Sequence, residues 1–300
     1  MSTPAVETTL YGGKVKIKFF PETHIYYVNG KRRGSVTGAL GVIDKSRALI
    51  PWAIDLYAEF LRDKLGQPLT EEIIMAGTEV WSIKKTEAAT IGTTAHDWIE
   101  QFVKGNKPDM PDDKNVIQAI NGFMNWVEDH KVKFLMSEQV VYSKKHDYIG
   151  TMDAVATLQG GRKRYMIDYK VSNGLYPAVA YQTAAYLKAD EEESGREYAG
   201  RWAIRLSKET EEEYMARQEK KLTNYLRKNT EKKPYQIKPY MAFEARFLDE
   251  GELKIERDFK AFLHALNLYQ IHAGVDREFF NATLWVLRTK KPHALAAMGK

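Results

Sequence analysis

Two hydrophobic periods share this chain. Val15 to Phe20 and His24 to Val28 alternate apolar with polar, β-prone residues, as strands do when successive side chains point to opposite faces, and Asn29-Gly30 follows as a strong turn signal. Helical spacing then takes over. It predicts helices from about Leu49 to Leu65, with Pro51 in the first turn, from Thr70 towards Lys85, and from Gly92 to Val103. Val116 to Lys131 reads as an amphipathic helix with Phe123, Trp126 and Val127 facing inward. Past residue 131 the period shortens again. Glu138 to Tyr142, Thr151 to Leu158, Arg164 to Lys170 and Arg201 to Leu206 read as strands, interrupted by one helix at about Tyr176 to Ala189.

Ser207 to Lys233 is acid-rich at its start and base-rich at its end, a polarity that suits a helix dipole, and Pro234 supplies a stop. Tyr240 to Leu248 suggests a strand and Leu253 to His272 a helix. Residues 1–12 are small and polar without periodicity, and are expected to be disordered. The order strand, strand, strand, helix, strand implies an α/β fold: a central mixed β-sheet flanked by helices, preceded over residues 13–91 by a hairpin and a helical flank.

Composition narrows the chemistry. Apolar residues make up 44% and charged residues 28% of the 300 positions, the balance of a globular protein with ample core. No apolar run is long enough to suggest a membrane span, and the opening residues lack the pattern of a signal peptide. The absence of cysteine excludes disulfides, zinc–thiolate sites and iron–sulfur clusters. Any metal must be held by Asp, Glu, His or backbone oxygen, and an intracellular setting is expected. A net charge of +5 leans towards a polyanionic partner. Lys220, Lys221, Arg227 and Lys228 form a basic cluster that either tracks phosphates or is simply a solvated helix face. Nothing in the pattern specifies an oligomeric state.

The most informative stretch is the strand pair around Gly160-Gly161. If these glycines form a two-residue hairpin loop, Asp153 falls directly opposite Asp168, with Cβ atoms roughly 4.5–5.5 Å apart. Strand periodicity puts Lys170 on the same face as Asp168. Met152, Ala154, Ala156, Leu158, Tyr165, Ile167 and Tyr169 then form an apolar face, with the two acids and the lysine on the opposite one. Two carboxylates so close repel unless a cation lies between them. A salt bridge at a sheet end contributes only about 0–1 kcal/mol and gives little reason for that crowding. Hard oxygen ligands suit Mg²⁺ or Mn²⁺.

Gly150, Thr151, Met152 and Asp153, followed by Ile167, Asp168, Tyr169 and Lys170, resemble the signature of the PD-(D/E)XK nuclease superfamily. Gly92 to His96 resembles the G-x-x-x-H helix of its RecB-like exonuclease branch, and Gln182 to Tyr186 the Q-x-x-x-Y helix. Gly34 to Thr37, followed by Trp52 and Ala53, is similar to phage-encoded and mitochondrial genome maintenance exonucleases of this type. The resemblance implies a restriction-endonuclease-like core over residues 92–300, with residues about 207–233 as a charged helical insertion. It implies a DNA exonuclease, of cellular or viral origin, acting in recombination, repair or genome processing. A nicking or structure-specific endonuclease and an inactive DNA-binding module are the alternatives. Carried over, Asp153, Asp168, His96 and the backbone carbonyl of Tyr169 would hold the metal. Lys170 would activate water, with Gln182 and Tyr186 ordering the centre. Glu100, one turn beyond His96, and Glu138, read as opening its strand, are secondary candidates.

Overall fold

The computed structural model describes residues 4–228, 236–251 and 254–289, the side chains of 224, 227, 228 and 274–289 excepted. Among the described residues nine strands form one mixed sheet, accompanied by seven helices, so the chain is α/β. It opens on an antiparallel meander of β1 (Val6–Leu10), β2 (Val15–Phe20), β3 (Ile25–Val28) and β4 (Lys31–Ser35). Asn29 and Gly30 turn β3 into β4 at φ 47° and 77°, conformations that asparagine and glycine adopt with least cost. β1 corrects the expectation of disorder over residues 1–12 at positions 6–10, while residues 1–3 lie outside the described residues. Of its five residues only Leu10 is buried, so this edge strand carries no period-2 signal.

Next come α1 (Val36–Leu40), α2 (Ser46–Arg62), α3 (Glu71–Val103) and α4 (Lys114–Asp129). α1 was not expected; Ser35 caps it by accepting the Gly38 amide. α3 starts where its cap residue Thr70 predicts, and unites two helices that the sequence suggests separately. The polar stretch between them contains no proline, and Gly92 costs a helix only about 1 kcal/mol. α4 buries Phe123 and Trp126 as its spacing requires.

The rest of the chain supplies β5 (Lys133–Ser143), β6 (Tyr148–Thr157), β7 (Tyr165–Val171), α5 (Pro177–Ser194), β8 (Gly200–Leu206), α6 (Glu211–Lys228), β9 (Phe243–Phe247) and α7 (Lys254–Thr289). β5 runs antiparallel to β6, β7 antiparallel to β6, β8 parallel to β7, and β9 antiparallel to β8. β5 begins earlier than the sequence suggests, so Glu138 lies in its middle rather than at its start.

Both faces of this sheet are covered. Ile99, Ile120, Phe123 and Trp126 pack with Ala154, Ala156, Ile167 and Tyr169 on one side. Val36, Leu187 and Phe262 pack with Val155 and Met166 on the other. The face expected to carry the acids, opposite the apolar one, therefore has a buried cluster of its own. Helices on both sides bury the sheet, and Met152 departs from its expected cluster to join Val155 and Met166.

The hairpin register is as the sequence implies, with Ala154 opposite Ile167 and Ala156 opposite Tyr165. The turn differs. Gln159 and Gly160, at φ 52° and 69°, are its central residues, and the Gly161 amide donates to the Leu158 carbonyl. Residues 162–164 then complete a longer connection to β7.

Candidate functional site

β6 has two kinds of edge. One is paired with β5 over almost its whole length. On the other, β4 pairs only with Tyr148 and Ile149, and β7 only with Ala154 to Ala156. Residues 150–153 therefore lie in a fork between β4 and β7, without ladder partners on that edge. Asp153 sits at the fork's inner end, where β7 has begun to part from β6. Its carboxylate bridges the gap by accepting the Tyr169 backbone amide at 2.9 Å, replacing the missing ladder bond.

Asp168 takes the next position on β7 and is completely buried. Lys170, two residues on, donates to Asp168 Oδ1 at 2.7 Å, and its Nζ lies 3.9 Å from Asp153 Oδ2 and 3.4 Å from the Tyr169 carbonyl. The other oxygen of Asp168, Oδ2, is buried and has no hydrogen-bond partner among the described residues. An orphaned carboxylate oxygen in the interior is costly, which marks it as an acceptor awaiting a cation or donor.

Glu138 approaches from β5. The β5–β6 register places it across from Asp153, but its φ of 48° interrupts the ladder there. Burial, followed by repulsion from Asp153, pushes its carboxyl up to about 8. Burial also raises Asp168, opposed by Lys170 and reinforced by Asp153. Burial alone would lower Lys170, but Asp168 and Asp153 outweigh it and raise the ammonium. Lys170 thus acts on all three acids, and Lys104 reaches Glu138 as well.

α3 brings His96 to the same place from far upstream in the chain. Its ring lies 5.9 Å from that of Tyr169, and it faces the Tyr169 backbone, Asp153 and Lys170. Burial lowers its pKa and favours the neutral imidazole, the form that can ligate a metal. Glu100, a turn further on, is paired with Lys104 and contributes to the field at Glu138. From α5, Gln182 donates to the Tyr186 hydroxyl at 2.9 Å. The Tyr186 ring lies against Gly150, where any Cβ would overlap it, so the glycine of this segment is required by close approach.

Two contributors were missed from sequence. Tyr26, on β3, bonds the Thr151 hydroxyl at 2.9 Å and lies close enough to Glu138 to feel its charge. Arg205 stands beside Lys170 in the β7–β8 register and is nearly buried. Neither belongs to a spaced motif; the β3 alternation marks Tyr26 only as a strand residue.

The donor set suits a divalent ion that keeps part of its shell open. Among the described residues no three His, Cys, Asp or Glu side chains converge closely enough to cage one by themselves. Mg²⁺ is commonly held by only one or two carboxylates, with water and substrate phosphate completing the shell. Asp153, Asp168 with its orphaned oxygen, the Tyr169 carbonyl and the neutral His96 fit that pattern.

Of the basic cluster expected on α6, Lys220 and Lys221 have described side chains, both exposed. Lys220 is ion-paired with Glu59 of α2. Lys221 faces Arg217 and Glu209. Arg227 and Lys228 close α6, their side chains lying outside the described residues. No described helix is long and apolar enough to cross a membrane. Neither a scan against protein-family models nor a search of curated proteins finds a match to this chain.

Proposed function

We propose that this protein is a metal-dependent nuclease of the PD-(D/E)XK type that hydrolyses phosphodiester bonds in DNA. The observation that carries the reading is the fork itself. Asp153 and Asp168 meet there with Lys170, and one buried Asp168 oxygen lacks a partner among the described residues. A structural salt bridge would satisfy both acids and leave no such atom.

Asp153, Asp168, the Tyr169 carbonyl and His96 would hold Mg²⁺ or Mn²⁺. Such an ion, when bound, supplies Lewis acidity and a water of lowered pKa. Lys170 directs its ammonium at the space between the two acids, where it orients the attacking water and offsets charge on the scissile phosphate. Tyr186 and Gln182 fix each other beside Gly150 and so limit the freedom of this wall. Exonuclease action on DNA ends is preferred on the resemblance of four ordered motifs.

The test uses end-labelled linear DNA and closed circular DNA with Mg²⁺, Mn²⁺ or EDTA. Degradation of linear DNA alone is the expected result. Nicked circles would indicate an endonuclease, and retained binding without cleavage a DNA-binding module. Lys170→Ala is expected to lower turnover by about 10²–10³-fold while leaving DNA affinity nearly unchanged, because its charge counts most in the transition state. Loss of binding in proportion to activity would make Lys170 a phosphate anchor instead.

A further inference from the structure

A cavity of 360 Å³ opens beside Arg205, at the carboxyl ends of the parallel strands β7 and β8. Its walls come from the loop after β7, the end of β8, α6, residues 238–241 and β9. Four cations line it, Arg205, Arg217, Lys238 and Arg246, against two carboxylates, Glu209 and Glu244. Glu244 is shared between Arg205 and Arg246, at 3.5 and 2.6 Å, while Glu209 is held by Arg217 at 2.7 Å. Lys238 has no ion pair among the described residues and is exposed at the rim. Lys208 adds to the field: burial lowers its pKa, Glu209 opposes this, and Arg217 pushes it lower still.

The register connects this pocket to the acids. Lys170 pairs with Arg205, and Arg205 with Glu244, so the cavity begins one strand away from the candidate catalytic lysine. Neighbouring strands are about 4.8 Å apart. At 360 Å³ the space lies near the small end of ligand pockets, roughly 300–1,000 Å³. That suits one nucleotide unit rather than a duplex. Arginine forks with spare donors recognise phosphate oxygens in preference to neutral groups.

We infer that this pocket binds a phosphate group of the same nucleic-acid strand, next to the bond being cut, with Arg217 and Lys238 as its principal contacts. The inference rests on the nuclease reading, and its test separates the two. Binding of labelled oligonucleotides to the full chain is measured in EDTA over a salt series, for wild type, Arg217→Gln, Lys238→Gln and the double variant. The log–log salt slope is expected to fall by about one for each phosphate-binding cation removed. Affinity of the double variant should drop at least tenfold at moderate salt. Asp168→Asn should abolish cutting and leave the slope unchanged. Lys238→Gln lies on an exposed segment, so it reports even if Arg217→Gln fails to fold. Unchanged slopes in variants that still cut DNA would overturn the pocket and spare the nuclease. Wild-type protein that binds but never cuts, with reduced slopes in the variants, would uphold the pocket and remove the nuclease. Failure of the wild type to bind at all overturns both. Oligonucleotides with and without a 5′ or 3′ terminal phosphate identify the source. A variant effect confined to one phosphorylated end means a terminal phosphate, and an effect on all of them means an internal phosphodiester.

Discussion

Asp153 accepts the Tyr169 amide, whereas Asp168 keeps an oxygen without a partner among the described residues, so neutralising each has a different consequence. Asp153→Ala strands a buried amide donor and is expected to destabilise the metal-free protein by about 1–3 kcal/mol. Asp168→Asn still accepts from Lys170 and removes a crowded charge, so it should cost less than Asp153→Ala. Both should abolish metal-dependent cleavage. Urea denaturation in EDTA beside an activity assay checks the pair, and a larger loss for Asp168→Asn would contradict it. Glu138 gives a pH signature. Its folded carboxyl titrates at about 8, above the ordinary 4.5, because burial and then Asp153 disfavour its charge. The folded state therefore binds its proton more tightly than the unfolded chain does. The stability from this group is complete below about pH 4.5 and is lost as pH rises through about 8. In EDTA the wild type should melt lower at pH 8.5 than at pH 5.5, and Glu138→Gln should narrow that gap. Equal pH dependence in the two proteins would remove Glu138 from the buried acid group. Residues such as Asp168 and Lys170 could be singled out from sequence because their spacing is local. Tyr26 could not, since only the sheet order, with β4 between β3 and β6, brings its hydroxyl to Thr151.

At the scale of elements, the β6–β7 hairpin shows how much a register constrains. Ala154 meets Ile167 although the turn centres on Gln159-Gly160 and the connection is longer than two residues. Burial on both faces holds the pairing, because a one-residue slip would send every side chain to the wrong side. The same burial explains why the apolar face expected from alternation became two covered faces. α5 and α7 pack on the side that the sequence leaves for the acids, and no local pattern announces their arrival. Gly150 is a point of very close approach between β6 and α5. Gly150→Ala would drive a methyl into the Tyr186 ring and is expected to cost about 1–3 kcal/mol through overpacking. Removing the ring should relieve it, so a double-mutant cycle with Tyr186→Ala should give a clear coupling energy. Additive losses would mean that the two elements have room to separate.

Across the whole molecule, a buried ion cluster ties the second half of the sheet to its helices. Arg201, on β8, is fully buried and bonds Asp249, Asp258 of α7 and the Ala180 carbonyl of α5. Arg201→Ala leaves two carboxylates without their common cation and is expected to destabilise by about 3–5 kcal/mol. Denaturant midpoints with an unchanged m-value test this, and a loss under about 1 kcal/mol would show that water replaces the guanidinium. The sequence by itself determined the features that depend on near neighbours: the periods of most elements, the Thr70 cap, the Asn29-Gly30 turn, the hairpin register and the spacing of Asp168 from Lys170. Such features follow from backbone geometry over a few residues, which a single sequence displays directly. Only the tertiary structure decided the fork between β4 and β7, the arrival of His96 and Glu138 beside Asp153, and the cationic pocket one strand away from Lys170. Those depend on contacts between segments far apart in the chain. Their residue types are common, and their spacing carries no period, so burial and charge could select them only after the sheet had brought them together.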